Sequence, residues 1–145
     1  MIKADTLLKM IQDAVDSNNY ALAVQLTQQL YAFYKETLGE NHSDTLNTLD
    51  DLSNYCDELG DYNQAIQCGL QVYEISKQVL GLHHQDTLAR LNNLAAYYAH
   101  AGDHHQAIGL FLRAYNTEKE VLGKYHSYTL LSLRNIAVSY AYLED

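Results

Sequence analysis

GLHHQDTLARLNNLAAYYAHAGD (residues 81–103) sets the pattern from which the rest of the chain is built. It opens on a turn (Gly81 to Gln85), continues as an amphipathic run (Asp86 to Ala101) and stops at Gly102-Asp103. A shift of 42 residues brings most of it back. Gly39, Gly81 and Gly123 align, as do His42, His84 and His126, and Thr45, Thr87 and Thr129. Leu46, Leu88 and Leu130 follow, then Leu49, Leu91 and Leu133, then Leu52, Leu94 and Ile136. Self-similarity at one fixed period marks an array of stacked supersecondary units, each leaving an apolar face for the next to cover.

Residues 3–17 place Leu7, Leu8, Ile11, Ala14 and Val15 at helical spacing, and Ser17-Asn18-Asn19 breaks the run with Asn19 as an N-cap. Further helices are predicted over Tyr20 to Leu38, Asp44 to Leu59, Tyr62 to Leu80, Asp86 to Ala101, His104 to Leu122 and Tyr128 to Leu143. Gly39 and its equivalents end the second helix of each pair, where a left-handed glycine is expected. Two-residue connections such as Gly60-Asp61 make the helices they join antiparallel neighbours. The expected fold is all-α: a right-handed superhelical solenoid of antiparallel helix pairs, with seven helices and about three and a half repeats. It reads as a single domain over 1–145, with repeat units at approximately 1–38, 39–80, 81–122 and an incomplete 123–145.

Composition agrees. Among 145 residues there is no proline, which helix interiors reject, and 48% of the chain is apolar. The formal net charge is −9, and Glu36 to Glu74 contains nine acids and no Lys or Arg. Nucleic acid and anionic membrane both require a basic footprint, so neither is the expected partner. No apolar run approaches the roughly 20 residues of a membrane span, and the N-terminal stretch carries acids through its apolar stripe, unlike a secretory signal. Two cysteines make no disulfide framework, and the expected location is cytoplasmic.

The small residues Ala23, Ala65 and Ala107 recur early in the second helix of each pair, where close crossing demands them. With Leu94, Tyr98, Gly102, Ala107, Phe111 and Ala114, they make the chain resemble a tetratricopeptide repeat protein. The phrases LGENHSDTL (38–46), LGLHHQDTL (80–88) and LGKYHSYTL (122–130) are similar to the long repeats of kinesin light chain and of many signalling proteins. The sequence departs from that pattern at Ser43, Gln85 and Ser127, where proline is usual, and in having no tryptophan. The resemblance implies a protein-binding scaffold whose first helices line a concave groove.

Carried onto this chain, the groove positions are Asn47, Asp50, Asp51 and Asn54 in the second unit, with Asp57 and Glu58 beyond them. Asn92, Asn93 and His100 follow in the third unit, and Arg134 and Asn135 in the fourth. Asparagines there suit both the N–H and the C=O of an extended peptide. The acids of the second unit either favour a peptide bearing Lys or Arg or form a solvated face. Leu130, Leu133, Ile136, Tyr140 and Leu143 match buried positions of earlier helices, yet nothing follows to cover them, which marks either a longer array or self-association as a homodimer. Two functions therefore stand: an adaptor module holding a peptide segment, or an assembly or regulatory segment of a larger signalling protein.

No chemistry competes with these. There is no nucleophile elbow, glycine-rich phosphate loop, HExxH or Cys-x-x-Cys, and Asp50-Asp51 diverge by about 100° on a helix rather than forming a dyad. No enzyme activity and no cofactor are expected. The histidine pairs His83-His84 and His104-His105 lack the convergent spacing of a zinc site. Recurrence of His42, His84 and His126 points instead to a structural role, such as a ring nitrogen on a turn carbonyl. Tyr31, Tyr73 and Tyr115 share one position and Tyr55 and Tyr97 another, as packing residues do. Cys56 and Cys68 read as buried free thiols.

Overall fold

The apolar spacing resolves into seven α-helices among residues 3–144, the residues described by the computed structural model. They are α1 (Ala4–Asp16), α2 (Tyr20–Leu38), α3 (Ser43–Leu59), α4 (Tyr62–Leu80), α5 (Gln85–His100), α6 (His104–Leu122) and α7 (Ser127–Leu143). No strand occurs among these residues. The architecture is the expected all-α array of helix pairs.

The connections explain the boundaries. Within the pairs, Asn18 (φ 56°) and Gly60 (φ 90°, ψ 5°) hold the left-handed turn, and Asn19, Asp61 and Asp103 each accept from a backbone N–H three residues on. Between pairs the glycine does something else. Gly39 (φ 94°, ψ 161°) and Gly123 (φ 93°, ψ 155°) lie outside the expected left-handed helical region, in a region open essentially to glycine alone. A side chain at either position is therefore excluded by the backbone itself.

The helices α3, α5 and α7 each begin one residue earlier than the periodicity predicts, because the histidine before them is the N-cap. His42 Nδ1 accepts from the Asp44 N–H at 3.1 Å, His84 Nδ1 from Asp86 at 3.0 Å and His126 Nδ1 from Tyr128 at 3.1 Å. The recurring histidine is structural, but its ring accepts rather than donating to a carbonyl. Helix N-termini present orphan donors, so an acceptor is what the corner lacks. Thr45 and Thr129 complete the corner by donating to the Gly39 and Gly123 carbonyls at 2.8 and 2.9 Å. Thr87 instead donates to the Ser76 carbonyl at 3.4 Å.

The chain divides into two compact units, Met1–Cys68 and Gly69–Asp145, with the division inside α4. In the first, Leu7 and Ile11 of α1 meet Leu26 and Leu30 of α2, flanked by Tyr34 and Tyr55. Fully burying side chains of this size stabilises by about 1.5–3 kcal/mol each. Cys56 is buried and Cys68 half-buried, both as free thiols. Burial, reinforced by Cys68 and Asp61, pushes the Cys56 thiol up to about 12, and burial with Asp61 raises Cys68. Neither is set up as a nucleophile.

In the second unit, Ala95 of α5, Ala107 and Phe111 of α6, and Ile136 of α7 form one cluster. Each tyrosine at the 31, 73 and 115 position receives the lysine one turn later over its ring, at 6.0, 5.5 and 5.6 Å. The outer side of α7 departs from its counterparts. Leu130 and Leu133 are 47% and 45% exposed, whereas Leu46, Leu49, Leu88 and Leu91 are buried. Tyr140 and Leu143 are exposed as well. Ile136 corrects the expected face, because it turns inward against Ala107 and Phe111 and is only 6% exposed.

Candidate functional site

The predicted groove residues fall into separate sets, one in each unit. On α3, Asn47 and Asp51 are exposed and Asp50 and Asn54 half-buried, at the i, i+3, i+4, i+7 spacing of one helix face. The negative field of this unit is felt by its tyrosines. Tyr55 is raised by desolvation and then by Asp51, and Tyr34 by desolvation, Asp44 and Asp5. Tyr20 packs against Tyr55 with ring centroids 6.1 Å apart.

In the second unit the predicted residues line two cavities. His100 and Asn135 belong to the first, of about 520 Å³, together with His104, Phe111, Ser139 and Tyr142. Its origin lies in one exchange of volume. Ser139 stands one repeat on from Tyr97, and Phe111 one repeat on from Gly69. Tyr97 fits because Gly69 has no side chain, a Cβ there falling 3.1 Å from two ring carbons. Phe111 and Ser139 reverse the pairing, large for small, and space opens beside the serine. The His104 and Tyr142 rings stack across this space at 4.6 Å and 3°.

The second cavity, of about 330 Å³, is lined by Asp86, Leu88, Asn92, Asn93, Glu118 and Leu131 among others. Asn92 is already engaged there. Its amide donates to Glu118 at 2.6 Å, the Ser132 hydroxyl donates to the other Glu118 oxygen at 2.7 Å, and Asn92 Oδ1 lies 3.2 Å from that hydroxyl. Glu118 is 1% exposed. Sequence alone does not single it out, because α6 is a second helix and the resemblance places ligand contacts on first helices. The available signal was an acid at the position that carries Ser76 one repeat earlier. Arg134 is exposed and is not among the residues lining either cavity.

Among the described residues no group of three His, Cys, Asp or Glu side chains is placed to hold a metal ion. No helix there is long and apolar enough to cross a membrane.

Comparison with known proteins agrees with this geometry. No curated protein matches the chain. Among solved structures, the putative kinesin light chain nearly identical TPR-like repeats of Podosopora anserina superpose with a TM-score of 0.84 at 22% identity, covering 99% of this chain and 70% of that one. A point variant of the same protein gives 0.84 and 22%, covering 97% of this chain and 66% of the other. BtubC (BKLC) from P. vanneervenii gives 0.84 at 14% identity, covering 98% of this chain and 57% of that chain. This chain thus spans between 57% and 70% of the length of these three structures. The sequence matches the tetratricopeptide repeat over residues 3–78, 57–117 and 86–145. With the helix pairs, small-residue crossings and glycine-ended helices described above, the chain belongs to the tetratricopeptide repeat family.

Proposed function

We propose that the chain is a non-enzymatic, cytoplasmic protein-interaction module that holds an extended peptide segment of a partner. Tetratricopeptide repeats serve in general as scaffolds for protein–protein interaction. The observation that carries the reading is the pair of cavities in the second unit, lined by Asn92 and Asn93 and by His100 and Asn135. Small, partly apolar recesses edged by amides suit side chains of a segment whose backbone is hydrogen-bonded alongside. The acids Asp50, Asp51 and Glu58 favour Lys or Arg in the partner, mainly through association rate. The test is an array of extended peptides with graded basic content, read at low and moderate salt. Binding should weaken on Asn135→Ala, and Asp50→Asn with Asp51→Asn should slow association at low salt. An array on which no peptide binds would overturn the reading.

A second reading is favoured by the exposed leucines of α7. Leu130 and Leu133 occupy positions buried elsewhere in the chain, so this face serves assembly with a second copy or a neighbouring segment of a larger protein. Sedimentation across a wide concentration range tests it, with Leu133→Glu expected to abolish any dimer. Ile136 is unsuitable for that test, since its substitution strikes the core. A chain that stays monomeric near 16.5 kDa at all concentrations removes the homodimer.

A further inference from the structure

Two corners of the second unit carry the same pair of buried positions with different chemistry. At one, Arg90 of α5 buries its guanidinium and donates to the Ser76 hydroxyl of α4 at 2.9 Å. One repeat on, the serine position carries Glu118 and the arginine position carries Ser132. The second corner thus holds a buried carboxylate whose long cationic neighbour has been exchanged for a short hydroxyl.

The donors that Glu118 does have are neutral, Asn92 Nδ2 and Ser132 Oγ. No Lys, Arg or His among the described residues lies within ion-pair distance of it. A buried carboxylate with only neutral donors is costly, because desolvation is offset well only by an opposite charge. Each carboxylate oxygen also accepts more than one hydrogen bond, so Oε1 and Oε2 both keep acceptor capacity. Glu118 lies on the wall of the second cavity, which Leu88, Leu122 and Leu131 line with apolar carbon and Asp86 with a further carboxylate. Apolar walls leading to a buried carboxylate match an aliphatic stem that ends in a cation.

We propose that this cavity is a socket for one lysine or arginine side chain of a bound protein segment, with Glu118 as its counter-charge. The proposal rests on the peptide-binding reading above and fixes the chemistry of one subsite within it. Glu118 recognises the ammonium or guanidinium, the leucines hold the stem, and Asn92 positions the carboxylate.

The test titrates the whole chain with Nα-acetyl-lysine methylamide and with its uncharged norleucine counterpart, following backbone and Asn92 side-chain amides by NMR. The lysine derivative should perturb Asn92, Ser132 and Leu88 saturably, and the norleucine derivative should not. Glu118→Gln should weaken lysine binding at least about tenfold, which is about 1.4 kcal/mol. Ser132→Arg supplies the cation from within, so it should abolish lysine binding and raise the unfolding temperature. This second variant keeps the test decisive if Glu118→Gln fails to fold. Equal responses to both amides, or unaltered lysine affinity in Ser132→Arg, would overturn the socket. A peptide array whose hits are insensitive to Glu118→Gln refutes the socket and leaves the peptide module standing. A silent array with lysine binding intact refutes the module and leaves the cation site.

Discussion

Gly69 and Gly109 are both helical glycines of the second unit, and alanine at the two should have opposite effects. Replacing glycine by alanine inside a helix stabilises by roughly 1 kcal/mol when nothing else changes. At Gly109 a Cβ meets nothing within 4 Å, so the whole gain is expected. For a protein of this size that raises the melting temperature by about 2–4 °C. At Gly69 the same carbon falls 3.1 Å from Tyr97 Cδ2 and Cε2 and 3.3 Å from Leu94 Cδ1. Both neighbours are buried core, so neither side chain retreats into solvent. Overpacking of this kind costs about 1–3 kcal/mol, which exceeds the helical gain. Gly69→Ala should therefore destabilise by about 1 kcal/mol, and the two variants should differ by about 2 kcal/mol. Urea unfolding reads this as midpoints displaced in opposite directions at unchanged slope. On a Tyr97→Leu background most of the penalty at Gly69 should go, since only the 3.3 Å approach to Leu94 Cδ1 remains, and the two sites should couple by about 0.5–3 kcal/mol. A Gly69→Ala chain as stabilised as Gly109→Ala would refute the argument that Tyr97 occupies the space the glycine leaves.

The corners and the buried polar groups supply the other predictions. Ser43 is the first residue of α3 and follows His42 at φ −67°, ψ 143°, a backbone already suited to precede proline, so Ser43→Pro should raise stability by about 0.4–1 kcal/mol in thermal unfolding. His84→Ala removes the acceptor for the Asp86 N–H and should cost about 1 kcal/mol by urea titration, with the far-ultraviolet helical signal unchanged. Asn92→Leu strips Glu118 of its 2.6 Å donor and should cost about 1.5–3 kcal/mol, and a neutral result would mean the carboxylate does not need that amide. The Cys56 thiol is raised in the folded chain, so above its ordinary range near 9 the unfolded chain loses the proton first. Stability should then fall as pH rises from about 9 toward 12, more steeply in the parent than in Cys56→Ala, and parallel profiles would count against a buried thiol.

Helix number, pairing and small crossing residues were legible because each is written three times at one spacing. Ala23, Ala65 and Ala107 needed no partner information to be read as crossings, and all three are fully buried. The histidine corners were legible as structural but not in their chemistry, since periodicity does not say whether a ring nitrogen donates or accepts. Ile136 was misplaced because alignment transfers a position's identity and not its surroundings. Leu130 and Leu133 lie uncovered on the outside, while Ile136 still has Ala107 and Phe111 behind it. Glu118 and the cavity beside Ser139 escaped for a related reason. Both arise where one repeat departs from the others on two facing helices at once, and a one-dimensional comparison sees each departure as an isolated substitution.

The corners at residues 39–45 and 123–129 close on themselves within seven residues, through one threonine, one histidine and one glycine. A seam of that kind is indifferent to what lies on either side of it. Duplication or loss of the two-repeat cassette between these seams disturbs no corner, so unequal crossover can lengthen or shorten the array without a compensating substitution. The corner at residues 81–87 is less portable, because Thr87 reaches back to Ser76 in the helix before it. A cassette cut there has to carry the end of α4 along. Copy number in this lineage should therefore change most readily at the other two seams.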